Sequence, residues 1–421
     1  MKNIGILFGD KTLRWDKFPF ARKITNQAFE LFSKIGKNKE ARFLISDFKH
    51  LKGKTLEKAW VFEDVWQLVE NREIELIFDR SPTTNKNDEK KEEIGRRIRI
   101  INNPGFNKLC WDKVQTYDYL SELVPRTFAV NNIKEIKEVL PMIGTETAVL
   151  KPRFGIMGKD IKFIKKNKIK QEDVRKNYVA QEFIDSSAGI KELDIEGVHD
   201  LRVIIINGKI DHSYVRIAEP GSLFANCAKG GKKVFLKEEQ IPEKVLEIVR
   251  EVDSRFGKYL PRIYAIDFVY DKKGKIWVSE LESVPGFAYY DEAEEIRSNF
   301  LNNIVDVLKE AEPISEEEIA EMERMEEERR KAAEERRILW EENHKKSEQK
   351  EEAEELKEEE KEAEEMKEEG PEELKKKEEK KPEPEEETEI EKEVEELETA
   401  EKEEINEDAE EESEEQKKEE E

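Results

Sequence analysis

The sequence predicts a mixed α/β and α+β protein that ends in a long charged tail. Three observations carry that prediction. In the first hundred residues short apolar runs alternate with helical periodicities, the pattern of a three-layer α/β unit. From about residue 106 to 312 the strand signals come as hairpins, with Asn207-Gly208 and the run Asp271-Lys272-Lys273-Gly274 as turns, which suits an antiparallel sheet. From Glu316 onward the chain is almost wholly Glu, Lys, Arg and Ala.

Taken in order, residues 3–8 (NIGILF) read as a buried strand and 20–35 as a helix. Residues 42–46, 75–78 and 98–101 read as further strands, with helices over 57–70 and 88–96. No G-x-G-x-x-G occurs, which argues against a dinucleotide fold. Asn102-Asn103-Pro104-Gly105 is a break, followed by a helix over 111–123, a strand leading on from 124–128 and a helix over 133–140. Residues 148–152 form a strand ending in lysine, 153–160 a two-glycine loop, 161–164 a strand returning from it, and 178–184 a central strand. A hairpin spans 200–206 and 209–217, an amphipathic helix 242–256, a second hairpin 264–286 and a closing helix 291–308. The boundaries this implies are 1–105, 106–185, 186–312 and 313–421.

The chain holds 102 acidic and 76 basic side chains, net −26. Residues 313–421 contain 52 acidic and 21 basic ones, so the tail carries −31 and the rest +5. No nucleic-acid partner is expected of such a near-neutral body. Cys110 and Cys227 cannot build a disulfide framework, which fits a reducing cytosol. No apolar run approaches the roughly 18 residues of a membrane span, and the first residues lack the apolar core of a signal peptide. The expectation is a soluble cytoplasmic protein with no membrane partner. Over 316–369 acid–base pairs three or four apart predict a solvated single helix. Its apolar positions are too sparse for a sustained heptad seam, so a coiled coil comes second. Past Gly370-Pro371 disorder is expected.

The 264–286 hairpin carries the first chemistry. Ile266, Phe268 and Tyr270 alternate with Asp267 and Val269. Period two on the return strand places Ile276, Val278, Glu280 and Glu282 on one face and Trp277, Ser279 and Leu281 on the other. Two carboxylates beside apolar neighbours are costly unless neutralised. With Asp267 turned to the same side they form a hard-cation site of the kind Mg²⁺ uses. For a lone E-x-E an amphipathic hairpin with its acids in water is the alternative; the tight stop at Val284-Pro285-Gly286 counts against it. Lys151 closes a strand ahead of Gly155 and Gly158, so an ammonium and free backbone N–H groups can surround phosphates; a surface lysine before an ordinary turn is the other reading. The histidines (His50, His199, His212, His344) show no zinc-ligand spacing, and Cys227, with no histidine placed to serve it, reads as a packed side chain.

Four stretches in this order resemble the ATP-grasp superfamily: Asp112-Lys113, Leu150-Lys151-Pro152 with its glycine loop, Gln181-Glu182-Phe183-Ile184, and Asp267 with Glu280-Leu281-Glu282 before Pro285-Gly286. Asp200-Leu201-Arg202, Arg216 and residues 226–231 (NCAKGG) are similar to its glutathione-synthetase and RimK-type (ribosomal-protein glutamate ligase) branch. The match covers about 100–310, and residues 1–100 fit the small α/β domain that precedes the grasp. The resemblance implies an ATP-grasp fold and ATP-dependent carboxylate–amine ligation through an acyl phosphate, on small-molecule or peptide substrates. ATP and Mg²⁺ or Mn²⁺ are the cofactors it implies. It places Lys113, Lys151, Gly155 and Gly158 on phosphate, Glu182 and Phe183 on adenine, Asp200 and Arg202 on nucleotide, Arg216 and Asn226 in catalysis, and Asp267, Glu280 and Glu282 on metal. Three departures stand out. The segment 185–199 is longer than in the RimK-type pattern, Phe224 stands where that pattern has arginine, and Glu282 stands where many relatives have asparagine. A non-catalytic ATP-binding module with a working tail and an ATP-grasp kinase are the alternatives. The Glu-rich tail could be substrate-like or hold a basic protein partner.

Overall fold

The computed structural model describes residues 1–320, apart from 83–87, 156–157, 226–229 and 288–292, together with 324 and 331. The first sheet is built by β1 (Lys2–Phe8), α1 (Lys23–Asn38), β2 (Ala41–Asp47), β3 (Leu51–Lys52), β4 (Thr55–Phe62), β5 (Trp66–Glu73), β6 (Leu76–Asp79), α2 (Asp88–Gly95) and β7 (Arg99–Ile101). Its order is β3-β4-β2-β1-β6-β7 with β5 on β4, and β1 runs parallel to both β2 and β6. Ile4, Ile6 and Phe8 of β1 face the core beneath α1, while Leu7 joins a second core on the opposite side. A strand covered on both faces reads as an unbroken apolar run.

The helix expected over 57–70 is instead the β4–β5 hairpin, paired from Thr55 with Glu73 to Phe62 with Trp66. Asp64 takes φ +72° at the reversal. Around it the segment is rich in β-branched and aromatic residues, which favour a pleated surface over a helix.

The middle of the chain supplies α3 (Pro104–Trp111), α4 (Lys113–Tyr119), β8 (Thr127–Val130), α5 (Ile133–Val139), β9 (Thr147–Pro152), β10 (Lys162–Lys165) and β11 (Tyr178–Glu182). The four strands form an antiparallel sheet in the order β10-β9-β11-β8. The helix expected over 111–123 breaks at Asp112, whose backbone is extended and whose carboxylate caps the Val114 N–H at 3.1 Å. Upstream, Asn103 caps α3 at Gly105, and Pro104 occupies its first turn, where no amide partner is needed.

The last part contains β12 (His199–Ile206), β13 (Lys209–Ile217), β14 (Lys232–Leu236), α6 (Glu243–Arg255), β15 (Ile263–Tyr270), β16 (Ile276–Glu282) and α7 (Glu294–Glu310). All pairings in this sheet are antiparallel, in the order β14-β13-β12-β15-β16. Asn207 and Gly208 turn the first hairpin at φ +47° and +81°, as a two-residue turn requires. One face of the sheet packs Leu201, Val203, Ile266 and Phe268 against Val245 and Val249 of α6. The other packs Ile204, Ile206, Ile263 and Ala265 into the core shared by α7, α1 and β1. Asn102 fastens the junction: its amide donates to the Ile263 and Ser283 carbonyls and its oxygen accepts the Ile263 N–H, all within 2.7 Å.

Residues 316–320 are helical; the rest of the solvated helix and the disorder expected beyond it lie outside the described residues. No helix among the described residues is long and apolar enough to cross a membrane.

Candidate functional site

The acid hairpin folds with one irregularity that decides where its carboxylates point. Asp267 is opposite Glu280, but Phe268 is opposite Val278, so Ser279 is an extra residue in β16. A bulge of this kind inverts the alternation on its far side. Ile276 and Val278 therefore face the α6 core together with Leu281, while Glu280 and Glu282 line a cavity of about 450 Å³ together with Ser279 and Asp267. This corrects the strict period-two assignment, which grouped Ile276 and Val278 with the glutamates. The glutamates do share one face.

The cavity lies between the four-stranded and five-stranded sheets, and its size suits a small-molecule ligand. Lys113, Lys151, Gly155, Gly158, Glu182, Phe183, Asp200, Arg202, Arg216, Asp267, Glu280 and Glu282 all line it. Asn226 lies outside the described residues, as does Cys227.

The five-stranded wall holds its charges in pairs. Arg202 grips Asp267 through both oxygens, at 2.6 Å each. Arg216 donates to Asp200 at 2.5 Å and to the second Asp267 oxygen at 2.6 Å. Strand register makes this possible, since Arg202 pairs with Asp267 across β12–β15 and Asp200 with Arg216 across β12–β13. Burial pushes the Asp267 carboxyl up, yet the two guanidinium groups outweigh it and hold the acid below its usual range. Asp200 moves the other way: burial raises it, Arg216 opposes this, and the charge on Asp267 adds to the rise. Glu282 is also raised by burial, against Arg202 and with Glu280, while one of its oxygens accepts the Val284 N–H at 2.8 Å.

On the opposite wall, Lys151 is lowered to about 8, by burial first and by the charge of Lys113 second, with Glu280 opposing both. Lys113 donates to the Gly155 carbonyl at 3.0 Å and lies 3.8 Å from Glu280. Glycine is needed at 158, where φ is +70°. Arg153 clamps the base of this loop with two 2.6 Å bonds to Asp112. At the end of β11 the Glu182 side chain turns to the Gly144 N–H at 2.6 Å, and the Phe183 N–H donates to Thr145 Oγ1 at 3.2 Å.

A hard cation suits some of these donors. Glu280 and Glu282 keep carboxylate oxygens toward the cavity, whereas both Asp267 oxygens are taken by arginine. Accordingly, no group of three or more His, Cys, Asp or Glu side chains stands together as a metal cluster among the described residues. A cation held by the two glutamates would recruit Asp267 only by displacing a guanidinium.

Sequence reasoning missed several residues here. Asp112 could have been found as an N-cap acid, and Tyr214 as a polar position in an apolar strand. Phe163 carried no local signal. His199, in the cavity wall, accepts the Tyr270 N–H at 3.3 Å on Nε2 with Nδ1 at 3.1 Å from the Gly197 carbonyl, and burial lowers its pKa.

Two antiparallel sheets clasp a cavity with Lys151 on one wall and Asp–Arg pairs beside two glutamates on the other, an arrangement to compare with known folds. Residues 168–309 match the family model described as YheC/D-like ATP-grasp. The structure aligns with D-alanyl-alanine synthetase A from Vibrio cholerae at TM-score 0.50 and 12% identity, over 73% of this chain and 98% of that one. The fold is that of the ATP-grasp proteins. A D-cycloserine synthetase aligns at TM-score 0.51 and 13% identity, over 72% of this chain and 99% of the other. In sequence, a probable alpha-L-glutamate ligase of Shewanella pealeana is 27% identical over 169 residues, 39% of this chain. The chain spans about a third of the length of the curated relatives it matches.

Proposed function

We propose that this chain, with its ATP-grasp fold, is an ATP-dependent carboxylate–amine ligase of the glutathione-synthetase and RimK-type branch, working through an acyl phosphate. The single observation supporting it is that twelve residues scattered from 113 to 282 line one cavity, with cationic and acidic walls facing each other. In this reading residues 1–105 precede the grasp, 106–185 and 186–312 are its two halves, and 313–421 are an appendage. ATP lies in the cavity with its base beside Glu182 and Phe183 and its phosphates toward Lys113, Lys151, Gly155 and Gly158. A carboxylate substrate takes the γ-phosphoryl group; an amine then displaces phosphate to give the amide.

Phosphoryl transfer of this kind depends on positioning and charge neutralisation rather than on a proton-transfer residue. Lys151 supplies a half-buried ammonium, which interacts more strongly with phosphate oxygens than one in open water would. Arg216, bridging Asp200 and Asp267, presents a planar fork to the transferring group, and Asn226 is assigned to support it. Asp200 and Arg202 hold the nucleotide side of the same network. Glu280 and Glu282, with Asp267 after arginine exchange, would hold Mg²⁺ or Mn²⁺. Such an ion would supply positive charge to offset that of the phosphates. The name of the curated relatives supports an α-amino acid such as glutamate as the amine.

Hydroxylamine supplied with ATP, Mg²⁺ and a panel of amino acids and peptides tests this reading, because it traps an acyl phosphate as a hydroxamate. Hydroxamate together with ADP supports the ligase. ADP with a stable phosphorylated product selects a kinase, and nucleotide binding without turnover across the panel selects a binding module.

A further inference from the structure

Phe224 stands where the RimK-type pattern has an arginine, and its ring has found other company. Its centroid lies 5.4 Å from that of Phe163 on β10, at 66° between planes, and Phe163 meets Phe183 at 5.5 Å and 75°. These are edge-to-face arrangements, which aromatic pairs prefer at such distances. All three rings line the cavity. Phe163 and Phe183 belong to the four-stranded half, whereas Phe224 sits in the connection that leaves β13 of the five-stranded half. The ring contact therefore joins the two walls. Ser222 fixes the connection beneath the ring: its hydroxyl accepts the Phe224 N–H at 3.1 Å and its own N–H donates to the Glu219 carbonyl at 2.9 Å.

Building on the nucleotide reading above, we propose that Phe224 is a positioning residue for the nucleotide, holding the β13–β14 connection against β10 by packing on Phe163. It supplies shape next to the base and no charge to the phosphates. An arginine at 224 would bring a guanidinium against the Phe163 ring and lose the edge-to-face fit, so the aromatic group and the missing charge are one adaptation.

The test is calorimetric binding of ADP and ATP to the full chain, with thermal melts to establish folding. Phe224→Ala should weaken both nucleotides about tenfold, Phe163→Ala, which also loses the Phe183 contact, at least as much, and the double variant little more than Phe163→Ala, because the Phe163–Phe224 contact is already gone there. Phe224→Tyr should stay within about twofold of wild type, and Phe224→Leu, which keeps bulk and folding, should fall about threefold. In turnover the loss should appear in KM for ATP with kcat kept. Losses that multiply to about a hundredfold in the double variant, or ADP binding by Phe224→Arg as tight as wild type, would overturn the proposal. A wild-type chain that binds no ADP would fail the nucleotide reading itself; tight wild-type binding that Phe224→Ala and Phe224→Leu leave unchanged would defeat only the aromatic contact.

Discussion

On the five-stranded wall of the cavity, Asp267 and Asp200 are tied to Arg202 and Arg216 by short charge-assisted hydrogen bonds. On the four-stranded wall, Lys151 is desolvated next to a second lysine, and only Glu280 across the cavity pulls toward its charged form. Asp200, Asp267, Arg202 and Arg216 satisfy one another within the chain, whereas Lys151 is left to be satisfied by what enters. A buried charge with an internal partner serves mainly structure, and losing one member is expensive. A buried charge without one costs stability and is poised for an anionic ligand.

The largest expected effect comes from breaking the paired wall. Asp267→Asn leaves two buried guanidinium groups facing a neutral amide and should cost about 3–5 kcal/mol in denaturant unfolding. Lys151→Met, on the other wall, should leave stability equal or higher while weakening ATP by about 10- to 100-fold. Equal stability losses at the two positions would erase the distinction. The pH dependence sharpens it. A lysine lowered to about 8 is charged below that pH and neutral above it, so ATP affinity should fall as pH rises past 8. Because its folded value is below its unfolded one, the unfolded chain holds the extra proton between the two values, and stability should rise with pH there. Lys151→Met should flatten both curves. The smallest effect belongs to the tail. Deleting residues 313–421 removes the exposed Arg99–Glu318 pair, worth about 0–1 kcal/mol, and should leave ATP affinity unchanged; a large loss would tie the tail to the folded body.

How much of this was legible follows from how local each signal is. The Asn207-Gly208 turn, the strand ending at Lys151 and the acids at 267, 280 and 282 are written in a few adjacent residues, and the structure has those turns and strands where expected. The bulge at Ser279 was hidden, because an extra residue in a strand shows only when its partner strand is known. The apolar residues of the β4–β5 hairpin also fit helical spacing, and only cross-strand pairing distinguishes the two. Asp112 interrupts a helix by binding Arg153, 41 residues away. The arginine grip on Asp267 is equally invisible in sequence: the acid reads as a cation ligand, and strand register gives it two guanidinium partners.

The central claim is that nucleotide phosphates and a divalent cation meet between these walls. Its most direct measurement is Mn²⁺ binding followed by electron paramagnetic resonance, with and without a nonhydrolysable ATP analogue, in wild type and in a Glu280→Gln, Glu282→Gln variant. Tight Mn²⁺ binding that needs the analogue and is lost in the double variant is the predicted result; Mn²⁺ bound with the analogue equally well by both proteins would contradict it.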